Sequence, residues 1–480
     1  SIGRVSGNLL TGATIDNVAF RDSAGMPFVA AEQVSARYNI LELFTRKIDL
    51  GAVRIQRPLI VLDRPPGGKW NYQRIFPPSD TTKPRSVRNK GFPWIVLHDV
   101  AIFEGRLLMR TPWKTDTTLS RAAQDSSIRA ALGGGTRLMV VRADSGFQKV
   151  VELRDLTARL PLLRITQPGF KDRLAQIASI RMIAFPFRPP PATVNDGTGN
   201  LFFNNDSLWW NDVAVQMPDS RVRGEGRYVF TTGDMTLAAK ASPAAFADFR
   251  WVFPRFPSDG GGPLEFALEW RGTTEEYRVR NADVRTQGAR LRGKFAISFA
   301  DTFAIHDTDV RFDNVSTRLV ERFVPDFKAP RRGTMDGLLT IVGGRNAMRL
   351  NGTLAFHDQQ GGGTSNLAGN GYMGYVNGDI RMRDLRLRVN ALQVTLLKSL
   401  SPALSEMMAP VSGVLYGNIT LNGSTETYLA IAGDVEHRDR GNVSRLAGTA
   451  RFAIAAGESF NINLQARPIS LAEVGLFAPA

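Results

Sequence analysis

Residues Leu291-Arg-Gly-Lys-Phe-Ala-Ile-Ser-Phe299 carry two signals at once. Phe295, Ile297 and Phe299 alternate with Ala and Ser, a period of two that reads as a strand with one apolar side. The Leu291-Arg292-Gly293 step ahead of them recurs as Val222-Arg223-Gly224, Leu367-Ala368-Gly369 and Leu446-Ala447-Gly448. About nine residues past each Gly comes a turn, at Gly233-Asp234, Asp301-Thr302, Gly378-Asp379 and Gly457-Glu458. Some 30 to 33 residues past it, Pro254, Pro325, Pro402 and Pro479 close short apolar segments. A strand-rich repeat of roughly 70 to 80 residues predicts stacked units that lean on their neighbours, with a long surface in place of one pocket.

Each repeat opens on a strand bracketed by glycines, Gly262 to Gly272, Gly333 to Gly343 and Gly413 to Gly423. Within it Leu268/Trp270, Leu339/Ile341 and Ile419/Leu421 fall in phase on one face. A second strand ends near His357-Asp358 in one copy and His437-Arg438-Asp439 in another. The apolar-x-Gly strand and a fourth strand follow. Ser316 to Phe323, Thr395 to Met408 and Ser470 to Phe477 read as short helices, with Ser or Thr as N-caps. Leu429 with Ile431, Phe452 with Ile454, and Ile462 with Leu464 continue the alternation, against Arg, Asn, Thr and Ser on the other side. One apolar and one wet face predicts an antiparallel sheet covered on one side only. Residues 1–220 are less regular and form an N-terminal β-region with insertions; residues 221–480 hold the repeats, the last of them truncated. Ser79–Gly91 and Thr115–Thr136 read as insertions, Phe185–Pro191 as a stiff connection, and Lys171–Met182 as an amphipathic helix.

The 480 residues include no Cys, which excludes disulfides and thiolate metal sites. A net charge of +15 favours an anionic partner, nucleic acid or an anionic membrane surface, although the Arg residues are spread along strands. No apolar run is long enough for a membrane-spanning helix, and there is no signal peptide. The chain begins at Ser1 and stops where a further strand should follow, so it reads as a fragment.

Chemistry is sparse, and no enzyme, cofactor or metal site is expected. The four histidines, His98, His306, His357 and His437, never occur at metal-binding spacing. Gly369-Asn-Gly371-Tyr-Met-Gly374 matches a dinucleotide fingerprint, but Tyr372–Val376 continues as strand where that motif needs a helix. The Asn-x-Ser/Thr triplets at Asn205, Asn314, Asn351, Asn418, Asn422 and Asn442 fit the composition of a polar strand face. No nucleic-acid module is recognisable, and Trp209-Trp210 is an isolated pair.

The N-terminal stretch carries a further pattern: Gly3-Arg-Val-Ser-Gly-Asn-Leu-Leu-Thr-Gly12, Ile15-Asp-Asn-Val-Ala-Phe-Arg-Asp22, Gly25-Met-Pro-Phe-Val29, Val34-Ser-Ala-Arg-Tyr38 and Leu41-Glu-Leu-Phe44. Ile48-Asp-Leu-Gly-Ala-Val-Arg-Ile55, Arg57-Pro58 and Gly67-Gly-Lys-Trp-Asn71 follow. This resembles the start of AsmA-like proteins of the TamB branch, just after their membrane anchor. The resemblance implies a long, twisted, taco-shaped β-sheet with an apolar groove, as in bridge-like lipid transfer proteins. It further implies a periplasmic protein, anchored in the inner membrane by a helix absent from this stretch, that moves phospholipid toward the outer membrane. An outer-membrane β-barrel is an implied partner, because the branch is also linked to assembly of such proteins.

The physics of such a groove is consistent. Strands about 4.8 Å apart, roughly 20 to 25 of them, would extend on the order of 100 Å. A phospholipid leaving a bilayer exposes about 30 methylenes at about 0.8 kcal/mol each, a barrier of order 20 kcal/mol that a continuous apolar floor removes. The expected fold is therefore an all-β, elongated antiparallel sheet forming an open apolar groove with short helices between repeats. The candidate floor is Leu268, Trp270, Phe295, Ile297, Phe299, Leu339, Ile341, Ile419, Leu421, Leu429, Ile431, Phe452, Ile454, Ile462 and Leu464. The bland alternative packs the same face against a second sheet as a closed sandwich. Rival functions are a scaffold that pairs its strand edge with outer-membrane clients, and a secreted adhesin or glycan-binding repeat, for which Trp is sparse.

Overall fold

The computed structural model describes residues 2–8, 10–22, 25–75, 94–272, 274–299, 303–323, 328–376, 379–399, 405–406, 408–453 and 459–470. With 67% of its residues in strands and 9% helical, the chain is all-β. It divides into two compact units, Ser1–Ser258 and Asp259–Ala480.

The N-terminal unit opens as a meander of β1 (Val5–Asn8), β2 (Gly12–Arg21) and β3 (Pro27–Tyr38). Helix α1 (Ile40–Phe44) leads into β4 (Lys47–Gln56) and β5 (Leu59–Asp63), two halves of one strand broken at Arg57-Pro58. Both halves pair antiparallel with β3 and parallel with the long β6 (Trp94–Trp113). The expectation of an entirely antiparallel sheet fails here, because β6 runs in the same direction as β4 and β5, which requires a return of the chain between Asp63 and Trp94. Helix α2 (Asn71–Ile75) lies on that return. Its fully buried Asn71 accepts from the Asp63 and Tyr72 amides at 3.1 and 3.0 Å and donates to the Val61 carbonyl at 2.6 Å. The Ser79–Gly91 insertion lies outside the described residues.

Next come α3 (Arg121–Gly133), inside the Thr115–Thr136 insertion, then β7 (Val140–Ala143) and β8 (Gly146–Thr166). Helix α3 starts on the Ser120 hydroxyl, which accepts from the Ala123 amide at 3.4 Å, and stops at Gly134 in the left-handed region (φ 88°). β8 pairs with β6 on one side and carries β7, β9 (Arg173–Ile177) and β10 (Ser179–Phe185) on the other. The helix expected over Lys171–Met182 is therefore two strands. Ile177, Ile180 and Ile183 are stiff at χ1 and suit a pleated surface, and β8 supplies the hydrogen bonds, so tertiary pairing overrides the helical spacing. The unit finishes with β11 (Ala192–Val194), β12 (Asp196–Phe203), β13 (Ser207–Gln216), β14 (Arg221–Val229), β15 (Met235–Ala245) and a 3₁₀ turn at Phe246–Phe249.

The C-terminal unit is simpler. Its strands are β16 (Gly261–Arg271), β17 (Thr274–Thr286), β18 (Ala289–Phe299), β19 (Phe303–Ser316), β20 (Gly333–Gly344) and β21 (Ala347–Asp358). β22 (Thr364–Val376), β23 (Asp379–Gln393), β24 (Val414–Ser424), β25 (Tyr428–Asp439), β26 (Asn442–Ala453) and β27 (Ser459–Ala466) complete it. Each pairs antiparallel with the next, from β16 to β27. The apolar-x-Gly steps lie in β14, β18, β22 and β26, four strands apart. Short helices follow β19 and β23: α4 (Thr317–Phe323), whose Leu319 amide donates to the Ser316 hydroxyl at 3.2 Å, and α5 (Val394–Lys398). Of the expected Thr395–Met408 helix, α5 covers the start and residues 405–406 are helical, while 400–404 and 407 lie outside the described residues, as do residues from 471 on in the Ser470–Phe477 segment.

β19 and β23 are longer than their neighbours and bulged. Asp307, Asn314 and Asp384 take left-handed φ of 47°, 53° and 47°, and the register slips beside each. Asn and Asp tolerate that conformation, and each extra residue shifts the alternation by one while keeping apolar side chains on one side. Buried apolar residues here include Ala282, Ala289, Ala296, Phe356, Val389 and Leu392 on strands, and Leu319 and Val394 on the helices.

Candidate functional site

Residues directly opposite one another in paired strands share a face, so the register assigns every strand residue a side. In the C-terminal unit one row runs Leu264, Ala282, Gly293, Val310, Leu339, Gly352, Gly369, Leu387, Ile419, Gly433, Gly448, Leu464, one residue from each of its twelve strands. A second runs Leu268, Tyr277, Ile297, Ile305, Gly343, Met348, Met373, Met382, Gly423, Leu429, Phe452. A third runs Val284, Leu291, Phe312, Gly337, Leu354, Leu367, Val389, Gly417, Val435, Leu446, Ala466. None of the three contains a charged residue. The row between the first and second is broken by bulges into Phe266-Val279-Phe295, Ile341-Leu350-Gly371 and Leu385-Leu421-Ile431-Ala450-Ile462. Trp270 and Phe299 flank Glu275 at the edge of the same face.

The register thus places fourteen of the fifteen residues singled out from the sequence on this one face; Ile454 lies outside the described residues. None of the fourteen is buried: eleven are half-buried, and Phe299, Ile462 and Leu464 are 45%, 46% and 50% exposed. The repeat's glycines belong to the face as well. A Cβ on Gly293 (φ 129°) would stand 2.0 Å from the Asp309 carbonyl oxygen, and one on Gly448 (φ 153°) 2.1 Å from that of Asn463. Sequence reasoning missed Val310, Met373, Met382 and Leu387 on the same side. They sit on bulged strands or beside glycines, where a strict period of two fails.

The N-terminal unit builds a comparable row by another route: Tyr38, Leu50, Leu97, Leu163, Ala175, Leu201, Trp210, Gly226, Leu237.

The opposite face of the C-terminal unit is polar. Arg290 bonds Asp283 through both carboxylate oxygens at 2.7 and 2.5 Å, and Arg445 does so with Asp434 at 2.8 and 2.5 Å. These hydrogen bonds hold both carboxyls below the usual range. Asp379 is held down in the same way, first by Arg381 and then by Ser424, the Glu426 amide and Thr425.

The remaining chemical candidates dissolve into strand neighbours. Gly369, Gly371 and Gly374 lie inside β22, with no helix N-terminus to receive a pyrophosphate. His98 meets Asp49 at 3.2 Å and His306 meets Ser298 at 2.8 Å, both across paired strands. His357 lies between Asp336 (2.7 Å) and Thr364 (3.2 Å), whereas its repeat counterpart His437 is buried with Nε2 2.5 Å from the Ser412 carbonyl. The Asp-His-Thr contact is therefore not a feature of the repeat. Among the described residues no group of three or more His, Asp or Glu could hold a metal ion, and no helix is long and apolar enough to cross a membrane. Comparison with protein-family models, curated proteins and solved structures finds no match for this chain.

Proposed function

We propose that the apolar sheet face carries lipid acyl chains, and that the chain conducts phospholipid between the inner and outer membranes as part of a periplasm-spanning β-groove. The observation that carries the reading is the set of apolar rows crossing the C-terminal unit without a charged residue while their large side chains stay half-exposed. A second sheet packed about 10 Å above would seal such residues as core. Half-exposed Leu, Ile and Met leave apolar area for a guest instead. Twelve strands at about 4.8 Å give a floor of about 50 Å in this unit alone, longer than one acyl chain. Each methylene laid on it recovers about 0.8 kcal/mol of what it loses on leaving a bilayer, with no single point of tight binding. Glycines interrupt the larger residues of the first row, in adjacent strands at Gly352 and Gly369 and at Gly433 and Gly448. The membrane setting rests on the resemblance of the N-terminal stretch to AsmA-like proteins of the TamB branch.

The test is lipid extraction from protein purified out of cells, joined to transfer of fluorescent phospholipid between vesicles. Phospholipid should co-purify, and Ile419→Asp, Leu421→Asp and Ile431→Asp together should cut transfer at least about tenfold while leaving the fold intact. Protein that carries no lipid, or a triple variant that transfers normally, ends the proposal. Photo-cross-links that land on sheet-edge backbone of a client protein would instead support strand pairing.

A further inference from the structure

The polar side of the C-terminal unit holds a depression of about 670 Å³ across β20 to β24, within the size range of small-ligand sites. Two adjacent rows line it, together with Gly352, Gly369, Leu387 and Ile419 from the strand positions between them. One is Thr340, Asn351, Asn370, Arg386 and Thr420; the other is Leu338, Thr353, Ala368, Arg388 and Asn418. Arg386 thus stands between Asn370 and Thr420, and Arg388 between Ala368 and Asn418.

Among the described residues, the side chains of this patch lack internal partners. Several basic side chains elsewhere on the face answer carboxylates, Arg278 with Glu276, Arg290 with Asp283, Lys294 with Asp307, Arg438 with Glu436 and Arg445 with Asp434, whereas Arg349 of β21 has none among the described residues. Among the described residues, Arg386 and Arg388 have no such carboxylate, and the Asn and Thr side chains of the two rows make no hydrogen bond within the protein. Asp309 at the rim is the one acid lining the depression; Asp434, opposite Asn418, is already neutralised by Arg445. The bulge at Asp384 puts Arg381 and Arg383 on the same side as Arg386 and Arg388, with Met382, Leu385 and Leu387 opposite. Of the first pair, Arg381 is held by Asp379 and Arg383 stacks on Tyr372 at 4.4 Å, leaving Arg386 and Arg388 available.

From this juxtaposition we propose that the depression binds an anionic oligosaccharide, with Arg386 and Arg388 on its acidic groups and Asn351, Asn370, Asn418 and Thr420 on its hydroxyls. Guanidinium forks match carboxylates through paired hydrogen bonds. Carboxamides and hydroxyls both donate and accept, as sugar hydroxyls do. A charge-only site would not need the amide and hydroxyl rows. Asn351 and Asn418, two of the Asn-x-Ser/Thr positions on the polar strand face, both lie in the depression. The proposal concerns the face opposite the lipid-bearing one and stands or falls separately from it.

The experiment titrates the 480-residue chain with a labelled hexamer of galacturonic acid at physiological ionic strength, beside maltohexaose, polyphosphate and single-stranded DNA. The acidic hexamer should bind at least about tenfold more tightly than each comparator. Arg386→Ala with Arg388→Ala should weaken it about tenfold or more, Asn370→Ala with Asn418→Ala about threefold to tenfold, and Arg278→Ala should change nothing. Circular dichroism melts confirm that the variants fold. Equal binding of polyphosphate or DNA overturns the proposal in favour of charge alone, and so does a double Arg variant that binds normally or an acidic hexamer that fails to bind.

Discussion

The two units reach the same kind of apolar face by different wiring. In the C-terminal unit each strand pairs with its sequence neighbours, and bulges in β19 and β23 keep the phase. The N-terminal unit splits strands, runs β4 and β5 parallel to β6, and hangs three strands on one side of β8. What they share is the row, apolar across strand after strand. What differs is how each is secured. Local pairing needs only neighbours, as in other stacked repeats. A parallel crossover needs a lock, and Asn71 with the deeply buried Val100 and Ala101 of β6 supplies one. The C-terminal unit can therefore leave its large apolar residues half-open, whereas the N-terminal unit depends more on sealed ones.

That contrast is broken most directly by placing one carboxylate in each unit. Val100 is 1% exposed, so Val100→Asp buries an unpaired charge and should cost about 4 kcal/mol or more. Ile431 keeps access to water, so Ile431→Asp should cost only about 1 kcal/mol of lost apolar contact. Six of the seven tryptophans (Trp70, Trp94, Trp113, Trp209, Trp210 and Trp251) lie in the N-terminal unit, so urea unfolding followed by their fluorescence reports the first substitution directly. Equal destabilisation by the two would mean the C-terminal face is as sealed as the N-terminal core.

A glycine pair sharpens the same comparison at smaller scale. Gly293→Ala should cost about 1 to 3 kcal/mol, since its φ of 129° strains any side chain and its Cβ would strike the Asp309 carbonyl. Gly51 in β4 has no atom within 4 Å of an added Cβ, and Gly51→Ala should stay within about 0.5 kcal/mol of neutral. Thermal melts of the two variants decide it. A tolerated Gly293→Ala would remove the close approach of strands as the reason for the repeating Gly.

How far the sequence disclosed this follows from what each residue needs. Regular strands such as β18 and β25 announce themselves, because Phe295, Ile297, Leu429 and Ile431 alternate without interruption. Their common face was legible for the same reason. β23 was harder to read: Met382 and Leu385 are three apart, and only the bulge at Asp384 reconciles them. Lys171–Met182 misled because helical spacing is local, while the hydrogen bonds that make it strand come from β8, in the preceding stretch of chain. The parallel pairing of β4 and β5 with β6 left no local mark either, since register between distant strands is a tertiary property. The polar depression was invisible for a similar reason: Asn351, Asn370, Arg386 and Asn418 come together only when four strands are laid side by side.

The smallest expected effect is on pH: depressed carboxylates act at the acid end in both units, Glu152 beside Arg154 and Arg106 in the N-terminal one, which also carries an alkaline effect at Lys149. In the C-terminal unit Asp283, Asp307, Asp379 and Asp434 are each held below the ordinary carboxylate range, chiefly by a hydrogen bond from Arg290, Lys294, Arg381 and Arg445. A carboxylate with a depressed folded-state pKa contributes stability above its unfolded value, about 3.9, and loses it as pH falls through the lower folded value. The pairs of Asp283, Asp307 and Asp434 sit at the surface, so their contributions are small and screened by salt, whereas Asp379 is buried. In the N-terminal unit burial lowers the Lys149 ammonium, whose charged form is then a liability at neutral pH. That liability is relieved as pH rises through the lowered value toward the unfolded one, about 10.4. Acidification from pH 5 to about pH 3 should therefore lower the melting temperature of the C-terminal unit, less so in high salt. Alkaline titration should raise that of the N-terminal unit, and Lys149→Met should remove the rise. If Asp283→Asn and Asp434→Asn together leave the acid limb unchanged, the surface pairs contribute nothing to it, and the open unit is held by its backbone ladder and apolar rows alone.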